Sequence, residues 1–154
     1  MRRGPATQPC QERHGGIILR KKNAGANKKA AGAFFAPAGL GIDIIEIKRI
    51  KDFAERKKGF LRRVFTEDEL KYCLGRKNQW QRLAVRFSAK EAVWKALGFK
   101  GLALNAISIV KLPGGKPGVV CKDPRAKDCE ILLSLSHSDE YASAAAIVLL
   151  KDKK

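Results

Sequence analysis

The chain has 154 residues, 45% apolar and 31% charged, which is enough for one domain with a sizeable core. Thirty-two Lys and Arg against fifteen Asp and Glu give a formal charge of +17, which says nothing of fold but favours polyanions: nucleic acid, phosphorylated ligands, acidic proteins or anionic membrane. No apolar run reaches the roughly 20 residues that span a bilayer, and Cys10, Cys73, Cys121 and Cys129 show neither C-x-x-C nor zinc spacing, so free thiols in a reducing cytoplasm are expected.

Residues 1 to 38 hold eight Lys or Arg, one acid (Glu12) and runs such as "KKNAGANKKAAGA" without periodicity. They read as a disordered basic N-terminal extension to a domain over residues 39 to 154. An upstream start codon, a transit peptide and an arm for an anionic partner remain open for it. "LGIDIIEI" then puts Leu40, Ile42 and Ile44 on one face and Ile45 and Ile47 on the other, as in a buried strand. A charged helix is predicted over 48 to 58, and "TEDEL" predicts a capping box, Thr66 with Glu69, opening another helix. A long helix runs from Asn78 to Leu97 and stops at Gly98. The strands "NAISIVKL", "VVC", "EILLSLSH" and "YASAAAIVLL" follow, with a "PGGKPG" turn and a short helical turn started by Asp123 and Pro124. A helical block followed by strands on short turns predicts an α+β fold with an antiparallel sheet packed on the long central helix.

At about 100° per residue the long helix carries two apolar faces. Leu83, Phe87, Trp94 and Leu97 form one, and Val85, Ala89, Ala92, Val93 and Ala96 the other. The polar corridor between them holds Gln81, Ser88, Glu91 and Lys95, so Glu91 lies against packed surface, where an unpaired carboxylate is costly. Its simplest partner is Lys95 at i,i+4, a pair worth only about 0.2–0.5 kcal/mol in an isolated helix. Arg82, Arg86 and Lys90 follow one another at i,i+4 on the helix's other edge, either as solvated side chains or as a track for an anion. Asp43 is out of place inside the apolar strand "GIDII" and needs a cation, an amide cluster or a metal, unless it makes a strand-end hydrogen bond. His137 ends an apolar alternation and reads equally as a core or a functional histidine. Two carboxylates without zinc-type ligands suit a hard divalent ion whose shell is completed by substrate phosphates. Composition and spacing therefore reach a magnesium-dependent enzyme acting on a phosphorylated ligand.

The ordered set "GLGIDIIEIKRI", "FTEDEL", "RLAVRFSAKEAVWKALG", "GGKP" and "LSLSHSDEYASA" resembles the holo-[acyl-carrier-protein] synthase family, small 4'-phosphopantetheinyl transferases, from Gly39 to about Leu150. The resemblance implies the 4'-phosphopantetheinyl transferase fold and transfer of phosphopantetheine from coenzyme A to a serine of apo acyl carrier protein, releasing adenosine 3',5'-bisphosphate. It implies Asp43 and Glu91 as Mg2+ ligands, Arg86, Lys90, Lys95, Gly98 and His137 at coenzyme A, and Arg49 of "EIKRI" at the acidic carrier. It also implies a cytoplasmic homotrimer with sites between subunits and no membrane partner. The catalytic group set is then Asp43, Glu91 and Lys95, with the serine proton taken by a water near Asp43, by Glu91 or by Lys95. One segment departs: where the family follows "KALG" with Thr-Gly, this chain has "FKGLAL" at 99 to 104. The competing reading, a small basic nucleic-acid-binding protein, leaves Asp43 and Glu91 unexplained and lacks an aromatic-rich binding strand.

Overall fold

Helix α4 (Gln79–Leu97) is the axis on which the other elements are laid, and its end is set locally by Gly98, whose left-handed φ of 64° closes the last turn. Around it the computed structural model, which describes residues 35–151, places β1 (Phe35–Glu46), α1 (Ile47–Arg56), α2 (Phe60–Val64), α3 (Glu67–Cys73), β2 (Ile107–Lys111), β3 (Pro117–Cys121), β4 (Cys129–His137) and β5 (Tyr141–Lys151). Of the basic extension expected over residues 1 to 38, residues 1 to 34 with Cys10 lie outside the described residues, whereas residues 35 to 38 already belong to β1. The expected capping box is present at α3: Glu69 N donates to Thr66 Oγ1, and Thr66 N to the Glu69 carboxylate. Asp123 caps a single 3-10 turn at Pro124–Ala126, also as expected, whereas the five-residue α2 is too short to leave a periodic signal.

The fold is α+β, but the strands form two sheets. An antiparallel three-stranded sheet has the order β1-β5-β4, and β2 and β3 form a separate hairpin. The inner face of β5 is buried: Ala144, Ala146 and Val148 lie in a core shared with Val93, Leu97, Ile107 and Ile109, and Ala142 lies in the second core. A second core, around Leu83, Ile50, Val64 and Phe65, packs α1, α2 and the following turn against the first half of α4. No helix among the described residues is long and apolar enough to cross a membrane.

Strand β1 corrects one expectation. It is an edge strand rather than one buried on both faces: Ile45 is buried, but Leu40, Ile42 and Ile44 are 62–66% exposed. Across the outer face of the sheet, Leu40 pairs with Ile147, which pairs with Leu132, and all three are exposed. No helix among the described residues covers this row. Inward, β1 touches α4 through glycines. A Cβ on Gly41 would stand 1.9 Å from Ala92 O, and one on Gly39 2.0 Å from Ala96 O, so only glycine admits this approach. Gly41→Ala is therefore expected to cost about 1–3 kcal/mol through forced separation of strand and helix; an unchanged urea midpoint would contradict the close contact.

Candidate functional site

The close approach of β1 to α4 puts Asp43 beside the polar corridor of the helix. Ser88, fully buried, donates its Oγ hydrogen to Asp43 O at 2.9 Å and pins the strand at this residue. Lys95 Nζ donates to Asp43 Oδ1 at 2.9 Å and to Ile42 O at 3.0 Å. The i,i+4 pair expected from spacing is thus displaced: Lys95 turns across to the strand and bonds Asp43 and Ile42 instead of Glu91. Asp43 Oδ2 is buried and has no hydrogen-bond partner. Burial, with the nearby charge of Asp43, pushes the Glu91 carboxyl above the ordinary carboxylate value, and Lys95 offsets only part of this. Two carboxylates that repel each other, one with an orphaned oxygen, form an incomplete hard-oxygen donor set. Its chemistry fits a divalent cation such as magnesium, with the remaining positions left for water or phosphate.

A second site lies elsewhere on the helix. Arg86 and Glu91 are five residues apart and so point roughly 140° from each other around α4. Arg86 enters a cavity of about 500 Å3 with Tyr72, Lys111, Leu133, Ser134 and His137, a lining that includes no carboxylate and none of Asp43, Glu91 and Lys95. Three guanidinium groups crowd the Tyr72 ring: Arg86 at 4.4 Å, Arg82 at 5.1 Å and Arg76 at 5.5 Å from its centroid. The Arg82 guanidinium beside Tyr72 lowers the pKa of its hydroxyl below the usual value. Arg86 Nε is buried without a partner. Mutually repelling cations around an unpaired donor make a pocket suited to a phosphate. Tyr72 and Arg76 are the residues missed in the sequence, where nothing marks their meeting with Arg86. His137 lies at the exposed end of β4, in this cavity and outside the core.

Lys90 does not continue the Arg82–Arg86 edge. It is fully buried, and its ammonium is paired with the buried Glu69 at 2.7 Å, so in this structure it is closed off from a surface anion. Burial draws its pKa below the ordinary lysine value against the pull of Glu69. Gly98 is exposed at the end of α4 and is not among the residues lining the Arg86 cavity. The atypical segment after it is tied down by Arg125, which stacks over Phe99 at 4.6 Å and donates to Lys100 O. Arg49 is exposed on α1, whose neighbourhood is strongly basic: residues 47–63 carry eight exposed Lys or Arg and two acids.

Residues 39–146 match the 4'-phosphopantetheinyl transferase superfamily. The holo-[acyl-carrier-protein] synthase of Caldanaerobacter subterraneus is 42% identical over 119 residues, covering 71% of this chain and 93% of the relative. That of Moorella thermoacetica is 45% identical over 118 residues, covering 70% and 91%. Among solved structures, the Bacillus anthracis holo-(acyl-carrier-protein) synthase in complex with CoA (3',5'-ADP) superposes with a TM-score of 0.65 at 32% identity, covering 75% of this chain and 98% of that one. The Helicobacter pylori synthase in complex with coenzyme A gives 0.62 at 31% identity, covering 71% and 98%.

A carboxyl whose pKa is raised on folding holds its proton more tightly in the folded chain, so its contribution is lost as pH rises from the ordinary 4.5 through the raised value. Without divalent cation, Glu91→Gln should therefore melt at a higher temperature than the wild type at pH 7, and the difference should vanish well below pH 4.5. Equal melting temperatures at pH 7 would show that Glu91 is not under this strain.

Proposed function

The chain belongs to the holo-[acyl-carrier-protein] synthases of the 4'-phosphopantetheinyl transferase superfamily, and from that premise we propose the following account of how it works. It transfers 4'-phosphopantetheine from coenzyme A to a serine of an apo acyl carrier protein, with adenosine 3',5'-bisphosphate as the leaving product. The observation that carries the account is the Asp43–Glu91–Lys95 cluster with its unpartnered Asp43 Oδ2, set apart from a basic, carboxylate-free cavity.

Asp43 and Glu91 are the residues to hold magnesium, which supplies charge neutralisation at the pyrophosphate when bound. Lys95 fixes the Asp43 carboxylate through Oδ1, keeping Oδ2 free, and leaves its exposed ammonium near the same phosphates. Arg86, His137 and Lys111 line the pocket for the nucleotide phosphates, and the three arginines at Tyr72 lose their mutual repulsion when an anion enters. Phosphoryl transfer of this kind needs positioning and charge neutralisation more than covalent work by the protein. The same reading puts the reaction in fatty acid biosynthesis, in the cytoplasm.

The assay is incubation with coenzyme A, magnesium and an apo carrier protein. A mass gain of one phosphopantetheine on the carrier is expected, lost almost entirely in Asp43→Ala and Glu91→Ala, which should remain folded. Full turnover by either variant or in excess EDTA would overturn the metal assignment; tight DNA binding without transfer would overturn the reaction.

The carrier is assigned to the basic surface of α1 and α2, since acyl carrier proteins are acidic as a class. Its apparent KM should climb with salt as the Debye length shrinks from about 10 Å at 0.1 M to about 3 Å at 1 M. Arg49→Glu should raise it at low salt too. An unchanged KM in that variant takes Arg49 out of the docking surface. The comparison belongs in a chain begun at Phe35 as well, so that the basic residues before it do not contribute.

We also propose a homotrimer with its sites between subunits. Two observations support it. The outer face of β1-β5-β4, with Leu40, Ile42, Ile44, Leu132 and Ile147 exposed together, is an apolar patch that an isolated soluble chain rarely leaves open. The metal cluster and the phosphate cavity also face apart on one chain, so a ligand bridging them takes one from each of two chains. Mixing inactive Asp43→Ala and His137→Ala chains should then restore part of the activity, and light scattering should give three chains per particle. An active single chain by light scattering would refute both the trimer and the shared site.

A further inference from the structure

Of the basic side chains on α4, Lys90 is the one that the reaction leaves unused. Its three ammonium hydrogens have three acceptors: Glu69 Oε2 at 2.7 Å, Leu104 O at 3.2 Å and Ile107 O. Glu69 is equally saturated. Oε2 also accepts from Thr66 N at 2.9 Å and Thr66 Oγ1 at 3.1 Å, and Oε1 accepts from Ile109 N at 3.0 Å. One carboxylate therefore ties together the start of α3, the middle of α4 and the middle of β2. Those three elements are walls of the phosphate cavity. Tyr72 stands three residues after Glu69 on α3, Arg86 one turn before Lys90 on α4, and Ile109 to Lys111 continue from the amide that Glu69 holds. A smaller adjoining cavity of about 310 Å3 is lined by Glu69 itself together with Tyr72, Arg86 and Lys111.

Stability alone is a poor reason for such a pair, because buried ion pairs replaced by apolar groups of equal volume often leave a protein as stable or more so. What an apolar replacement does not supply is direction: a carboxylate with four donors and an ammonium with three acceptors allow one spacing of the walls.

We propose that the Glu69–Lys90 pair is the positioning device of the coenzyme A phosphate site, holding α3, α4 and β2 at the separation at which Arg86 reaches its anion. The pair touches no substrate. It acts on binding rather than on transfer, because the Asp43–Glu91–Lys95 cluster is anchored separately, through Ser88 and the glycines of β1. The inference rests on the coenzyme A reading above.

The test is titration calorimetry with adenosine 3',5'-bisphosphate, together with steady-state kinetics, on the wild type and on the double variant Glu69→Gln, Lys90→Met, which removes both charges at nearly constant volume. The double variant should melt within a few degrees of the wild type. Its Kd for the bisphosphate and KM for coenzyme A should rise by about tenfold or more, while kcat at saturating coenzyme A changes by less than about threefold. A folded double variant with wild-type Kd and KM, or one whose loss is confined to kcat, overturns the proposal. If the double variant does not fold, Thr66→Ala decides. Losing one donor to Glu69 should raise Kd about threefold and Thr66→Ser should restore it, whereas an unchanged Kd in Thr66→Ala overturns the proposal. A wild type that fails to bind the bisphosphate would instead sink the coenzyme A reading, and this inference with it.

Discussion

The contact between β1 and α4 is made by backbone: with no side chain at Gly39 and Gly41, the carbonyls of Ala96 and Ala92 lie where a Cβ would have to go. Every distance at the candidate metal site follows from that approach. Asp43 is two residues further along β1, on the same inward face as Gly41, and the strand is close enough there for Ser88 Oγ to reach Asp43 O and for Lys95 to reach both Ile42 O and Asp43 Oδ1. Any larger residue at the two glycines would move the strand away from Glu91 and Lys95. The alanines of α4 serve the same end from the other side, because Ala89, Ala92 and Ala96 are fully or almost fully buried and keep the helix surface low.

A helix buried on two sides also explains why the chemistry is divided. With apolar contacts taking most of its circumference, α4 can offer charged side chains only along narrow strips between packed faces. One strip meets β1 and carries Glu91 and Lys95, facing Asp43. The other meets α3 and β2 and carries Arg86, with Lys90 buried at its foot. Carboxylates in the cavity at Arg86 would repel an anion, and the packing of α4 keeps them out of its lining. The separation has a geometric consequence: on one chain the two groups of residues face apart, and the outer apolar face of the sheet stays exposed among the described residues.

Similar charged residues meet very different fates along this helix. Lys90 and Lys95 lie five residues apart in the same amphipathic stretch, yet one is sealed in the core against Glu69 and the other is 43% exposed at the carboxylate cluster. The difference in surroundings, rather than in side chain, gives one a structural task and leaves the other available to a ligand. Arg125 is a similar case on a smaller scale. Its stacking on Phe99 and its bonds to Lys100 O hold the atypical segment after α4, so that stretch is ordered by contacts of its own.

The sequence by itself determined what depends on neighbours along the chain. The capping box at Thr66 and Glu69, the extent of α4 with its glycine stop, the 3-10 turn after Asp123 and the four later strands are all local: each rests on hydrogen bonds or alternation within a few residues. Asp43 and Glu91 were legible as chemistry because charge inside apolar pattern is expensive anywhere. Only the tertiary structure decided whom each charge would face. Spacing favoured Glu91 with Lys95, because i,i+4 is the contact that a helix alone can make, but a buried helix also meets strands, and Asp43, 52 residues away, is the partner that Lys95 takes. The same holds for Lys90 with Glu69, for the gathering of Tyr72, Arg76 and Arg86, and for β1 lying at the edge rather than the middle of its sheet. Each is set by which surfaces pack together, and a pattern of residues along one chain carries no record of the distance between them.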